Sequence, residues 1–166
     1  MADDGQHGTD RSFFSDRISI KQVEEGHTLA PKFDSSGLIA CVTTHADSGE
    51  VLMLGYMNED ALTCTIESGE AHYWSRSRQQ LWHKGGTSGH IQTVVEIRID
   101  DDQDAVWLRV RLRGRQASCH VGYRSCFYRT INGNKAQSAP TLSFIETGKV
   151  FDPSEIYGDA PNLTIL

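Results

Sequence analysis

Two stretches of strict alternation flank an acidic run, and they limit the fold more than any other feature of this chain. Val95, Ile97 and Ile99 alternate with Glu96, Arg98 and Asp100. Val106, Leu108, Val110 and Leu112 alternate with Trp107, Arg109, Arg111 and Arg113. A period of two puts successive side chains on opposite faces of a pleated strand, so each stretch reads as a half-buried strand. Other segments add to the sheet. Residues 38–42 (LIACV) form a short apolar run, 45–50 (HADSGE) have turn chemistry, and 51–56 form a second strand, which makes 38–56 a hairpin. Residues 71–75 read as a strand, 76–90 as polar loop, and 126–131 as the last strand of the body.

One principal helix follows the hairpin. Asn58 is a good N-cap, Glu59 and Asp60 suit the positive end of the helix dipole, and Gly69 stands where the helix should stop. Ala61, Leu62, Thr65 and Ile66 supply an apolar stripe. The expected architecture is α+β, a mostly antiparallel sheet carrying one principal helix. Residues 1–17 read as a flexible N-terminal arm with Phe13 and Phe14 as its only anchors, 18–131 as the domain, and 132–166 as a C-terminal extension. The extension holds three of the four prolines and one short extended piece at 141–146.

Charge narrows the function. Sixteen Lys and Arg against twenty-two Asp and Glu leave a net charge of −6, the opposite of what a nucleic-acid binder carries. No apolar run reaches the roughly 18–20 residues of a bilayer span, and the first fifteen residues show no secretory signal. The expectation is a cytoplasmic protein whose four cysteines are thiols. Cys41 and Cys64 sit alone in apolar stretches and read as small buried hydrophobes.

Three segments carry chemistry. Residues 100–104 (DDDQD) place four carboxylates in five positions. Such a run is usually a solvated turn. On an extended backbone, however, Asp100, Asp102 and Asp104 project to one side, and oxygen ligands at that density suit Mg²⁺, Mn²⁺ or Ca²⁺. Cys119 and Cys126 lie seven positions apart with His120 between them. A disulfide is one reading of this pair. Zinc is the better one, because thiolates prefer it to magnesium and a site with open positions activates water. His120 could act there as base, as orienting group or as ligand. In residues 72–90, Arg76, Arg78 and Lys84 with Thr87, Ser88 and three glycines suit phosphate recognition, against the plain alternative of a solvated basic loop.

Taken together, VLMLGYMNEDAL (51–62), HYWSRSRQQLWHKGGTSGH (72–90), DDDQD (100–104) and SCHVGYRSCFYR (118–129) resemble the phosphoribosyl-AMP cyclohydrolases, in order and with similar spacing across 35–131. The resemblance implies an intertwined homodimer with sites built from both subunits. The implied reaction is hydrolysis of the purine N1–C6 bond of phosphoribosyl-AMP to ProFAR, the third step of L-histidine biosynthesis, with Zn²⁺ and Mg²⁺ as cofactors. It matches Asp100, Asp102 and Asp104 to the family's magnesium ligands and Cys119 and Cys126 to its zinc ligands. His120 matches the histidine beside the zinc ligand and is the candidate catalytic group. The family's third zinc ligand, a cysteine given across the dimer, falls on Asp101, a carboxylate that can bind zinc at about 2.0–2.2 Å. Arg76, Arg78, Lys84, Thr87 and Ser88 are the substrate-binding candidates. Two other readings stand beside this one: a zinc-dependent hydrolase of another purine nucleotide, and a non-catalytic metal-binding paralogue marked by Asp101.

Overall fold

The computed structural model describes residues 13–133, 139–160 and 164. Its architecture is α+β. The alternating segments become β5 and β6 in the element order α1 (Ile20–Glu25), β1 (Ile39–His45), β2 (Val51–Met57), α2 (Glu59–Ser68), β3 (His72–Ser75), β4 (Gln80–His83), β5 (Gln92–Ile99), β6 (Ala105–Leu112), β7 (Arg129–Asn132), β8 (Thr141–Phe144) and α3 (Pro153–Tyr157). The main sheet has the order β2-β1-β6-β5, and two small hairpins, β3-β4 and β7-β8, form sheets of their own.

All strand pairs are antiparallel except β1 with β6, which run parallel at the centre of the main sheet. Burial explains that position. Val106, Leu108, Val110 and Leu112 of β6 and Ile39 and Cys41 of β1 are buried, and they meet Leu52, Met53, Met57, Ala61, Leu62 and Tyr73 in one core cluster. Central strands shared by both hairpin partners have the most apolar surface to bury.

The helix α2 forms where its capping residues lie. The Asn58 side chain accepts from the Ala61 N–H at 2.9 Å, and Gly69 closes the helix in the left-handed conformation. Its Ala61, Leu62 and Thr65 face the core.

Several boundaries differ from the sequence expectation. A bulge between Val94 and Glu96 shifts the register of β5, so Val94 packs inward with Ile97 and Ile99 while Val95 is exposed. One extra residue inverts the side-chain phase, and the inward set is therefore not the simple odd-numbered one. The segment read as loop at 76–90 contains β4, whose Trp82 packs on Tyr73 at 5.8 Å between ring centroids. Four residues are too few to show a period. The last body strand begins at Arg129 rather than 126, because Cys126 and Phe127 belong to the turn before it. The extended piece in the C-terminal extension is present as β8, and the short helices α1 and α3 were not anticipated. Of the N-terminal arm, residues 1–12 lie outside the described residues. The Ser15 N–H donates to the Leu29 carbonyl at 3.0 Å and Arg17 to the Ala30 carbonyl at 2.6 Å.

Candidate functional site

The acidic run is a tight turn joining β5 to β6. Asp100 Oδ1 accepts from the N–H groups of Asp104 and Ala105 at 2.9 and 3.0 Å, which folds the chain back on itself. Gln103 takes φ +60° and is buried. Its side chain accepts from the Ala30 N–H at 2.8 Å and donates to the Val23 and Thr28 carbonyls at 3.0 and 3.3 Å. The run is therefore not an extended strand. Even so, one oxygen each from Asp100, Asp102 and Asp104 lies within 4.8 Å of the others, gathered by the turn rather than by strand pleat. Lys32 Nζ stands 3.5 Å from Asp102 and 3.4 Å from Asp104. Asp101 is exposed at the same turn.

The cysteines occupy an irregular loop beyond β6. The Cys126 N–H donates to the Leu52 carbonyl at 2.8 Å, and the Ser125 hydroxyl donates to the Val51 carbonyl at 2.7 Å, which seats the loop on β2. Cys119 and Cys126 lie side by side as free thiols and form no disulfide. The neighbouring Cys126 thiol, aided by the nearby Lys84 charge, lowers Cys119 to about 6, while Cys119 and burial push Cys126 far up. Two adjacent thiols are a ready pair of soft ligands.

Three neighbours complete this centre. His120 Nε2 is buried with no hydrogen-bond partner among the described residues, an arrangement that natural proteins keep rare. Lys84 is only 6% exposed. Its Nζ donates to the Ser118 carbonyl at 2.6 Å and lies 5.0 Å over the Trp82 ring. Burial lowers its pKa, while the negative charge on Cys126 and Cys119 opposes that shift. A buried polar chain then reaches the loop from the core. The Tyr73 hydroxyl, 2.7 Å from Thr43 Oγ1, donates to Gln92 Oε1 at 2.7 Å, and Gln92 Nε2 donates to Ser118 Oγ at 2.9 Å. Tyr73 and Gln92 escaped the sequence reading, and so did Ser118. The available signal was a glutamine opening an otherwise apolar inward face of β5.

The remaining candidates line the β3-β4 hairpin and the loop after it. Arg76 stacks over Tyr56 at 4.0 Å, and Arg78 over Trp82 at 5.6 Å. Thr87 is exposed, and Ser88 Oγ accepts from the His90 N–H at 3.3 Å. Gly85 is required in this loop: its φ is +86°, and a Cβ there would stand 2.4 Å from the backbone of His90 and Ile91. Lys84 thus shares the Trp82 ring with Arg78 and also reaches Ser118, next to Cys119.

Within one chain the two candidate metal centres are separate. Leu52, which holds Cys126, lies level with Leu108 and Arg109 through β1. That is about four residues, or roughly 13 Å, along the sheet from the aspartate turn and two strand spacings across it. Among the described residues, the aspartate trio is the one grouping of three or more possible metal ligands, so neither Asp101 nor another acid joins the cysteine pair.

Comparison with known proteins bears on what this arrangement does. The family model described as phosphoribosyl-AMP cyclohydrolase matches residues 53–128, a span that contains both cysteines and the aspartate turn. A phosphoribosyl-AMP cyclohydrolase of Rhodopseudomonas palustris strain BisB18 is 54% identical over 139 residues, covering 84% of this chain and 93% of the relative. That of strain BisB5 is 55% identical over 139 residues, covering 84% and 92%. That of Nitrobacter hamburgensis is 50% identical over 135 residues, covering 81% and 90%. At this identity across most of both lengths, the chain belongs to the phosphoribosyl-AMP cyclohydrolases, a family of hydrolases.

Proposed function

We propose that this chain hydrolyses the N1–C6 bond of the purine ring of phosphoribosyl-AMP, giving ProFAR in the third step of L-histidine biosynthesis, in a metal-dependent reaction in the cytoplasm. The observation that carries the reading is the adjacent free thiols of Cys119 and Cys126 beside a buried His120 Nε2 that has no hydrogen-bond partner among the described residues, in a chain of this family. No helix among the described residues is long and apolar enough to cross a membrane.

The donor set fits the expected cations. Cys119 and Cys126 would hold Zn²⁺ and the oxygens of Asp100, Asp102 and Asp104 would hold Mg²⁺, a division that follows ligand softness. Bound zinc supplies Lewis acidity that makes water nucleophilic near neutral pH. The protein's own groups do the rest. His120 Nε2 has no competing partner among the described residues, so it is free to accept the proton lost as water adds to C6 and to return it as N1 leaves. Lys84 places a buried positive charge beside the thiolates and ties its loop to Ser118. Arg76, Arg78, Thr87 and Ser88 present donors on one hairpin and its following loop, the chemistry that two phosphates need.

The distance between the aspartate turn and the cysteines supports a homodimer in which one substrate meets the turn of one subunit and the cysteines of the other. In that arrangement Asp101 stands as the candidate third zinc ligand from the partner chain. The deciding experiment is turnover of phosphoribosyl-AMP by metal-stripped protein, with Zn²⁺ and Mg²⁺ restored separately and together. Product that appears only once zinc returns is the expected result. No product under any combination would sink the proposal and turn the search to other purine nucleotides.

A further inference from the structure

The cysteine loop has two sides, and the proposed chemistry accounts for only one. Its inner side is bonded to β2 through Leu52 and Val51, and Arg124 Nε reaches Glu50 at 2.7 Å. Its outer side is covered by the segment after β8. The two carboxylate oxygens of Glu146 accept one N–H each from consecutive residues of the loop, Arg124 and Ser125, both at 2.9 Å. The Ile145 N–H donates to the Tyr128 carbonyl at 3.0 Å, and the Val150 N–H to the Gly122 carbonyl at 2.8 Å. The contact at Gly122 is tight: a Cβ there would stand 2.4 Å from the Phe151 carbonyl oxygen. The rings of Tyr123 and Tyr128 stack at 3.9 Å with Phe144 of β8 beside them.

Residues 118–126 form no helix or strand and are tied by three backbone bonds of their own. The Ser118 N–H donates to the Arg124 carbonyl at 2.8 Å, and the Cys119 and Gly122 N–H groups donate to the Tyr123 and Cys119 carbonyls at 3.1 Å. The Arg124 and Ser125 N–H groups just before Cys126 are met from outside the loop, by Glu146. A carboxylate bridging adjacent amides is a charge-assisted clamp and fixes the approach of the chain to Cys126. It acts on Ser125 and Arg124, the residues immediately before Cys126. From this we infer that Glu146 is a positioning residue for the Cys119–Cys126 site, and that the segment 144–151 is the clasp that holds the site's outer side. The inference rests on the reading of that pair as the zinc-binding site.

The test uses the full chain. Glu146→Gln keeps the length of the side chain but turns a donor toward one of the two amides. Glu155→Gln breaks the 2.6 Å ion pair with Arg115 in the same C-terminal region and serves as the control. Zinc affinity is read by competition with a chromophoric chelator, and the unfolding midpoint is read alongside. The expected result is a zinc Kd about 10–100-fold weaker for Glu146→Gln, the usual effect of losing a group that orients a ligand. The control should match the parent protein. Amide exchange at Arg124 and Ser125 in the metal-free protein should quicken in the same variant, an effect that does not depend on zinc. If Glu146→Gln fails to fold, Glu146→Asp, which withdraws the carboxylate by one methylene, takes its place with the same expected direction. Zinc affinity within twofold of the parent overturns the inference, whatever the amide exchange does. A parent protein that binds no zinc overturns the site reading itself, and the inference with it.

Discussion

Cys119 and Cys126 are adjacent free thiols, and the consequence can be measured without any metal. The Cys126 thiol is the largest cause that lowers Cys119 to about 6, so Cys126→Ala removes it. Alkylation of Cys119 in metal-free protein, mapped by mass spectrometry across pH, should then show its titration moving upward, and zinc-dependent turnover should be lost. A rate equal to the parent's would remove the cysteine pair from the mechanism. Cys41 behaves in the opposite way. Burial in the core pushes its thiol from 9.0 to about 12. Between those values the unfolded chain has lost a proton that the folded chain keeps, so stability falls as pH rises from about 9 toward 12. Three units correspond to at most about 4 kcal/mol. Urea unfolding of the parent against Cys41→Ala should give curves that converge as pH rises through this window. Parallel curves would show that Cys41 does not carry the effect.

Among the elements, α2 is the clearest case of local chemistry deciding local structure. Asn58→Ala removes the acceptor for the Ala61 N–H and should cost about 1 kcal/mol in denaturant unfolding, with turnover unchanged once folded. A loss of several kcal/mol would mean that Asn58 supports more than the helix end. Thr65 shows how such an element then reaches the rest of the fold, because its hydroxyl oxygen accepts from the His72 N–H at 2.9 Å and ties α2 to β3. The hairpin β3-β4 and the bulge in β5 were less legible. A four-residue strand carries no measurable period, and a bulge conceals itself by exchanging inward and outward positions at Val94 and Val95.

For the molecule as a whole, the proposal of shared sites makes a prediction about assembly. If sites are shared across a homodimer, the solution mass is twice 18.5 kDa. Mixing two inactive variants, Asp102→Asn and Cys126→Ala, should then restore activity. Random exchange leaves half the dimers mixed, each with one intact site, so recovery should approach about one quarter of the parent rate. Sites built within single chains would recover nothing.

The sequence by itself determined what depends on neighbours a few residues away. Alternation placed β6 and its buried face, Asn58 and Gly69 placed α2, the turn residues placed the β1-β2 hairpin, and the four spaced motifs identified the family. Such features act through side-chain period and capping, whose physics is local. Tertiary structure alone decided the parallel pairing of β1 with β6, the turn that gathers three aspartates, and the aim of Lys84 at Ser118, thirty-four positions away. It also set Glu146 against amides twenty-one and twenty-two positions back. These contacts join segments whose composition says nothing of each other. They exist because burying the core brings the segments together, and their buried polar groups must then find partners.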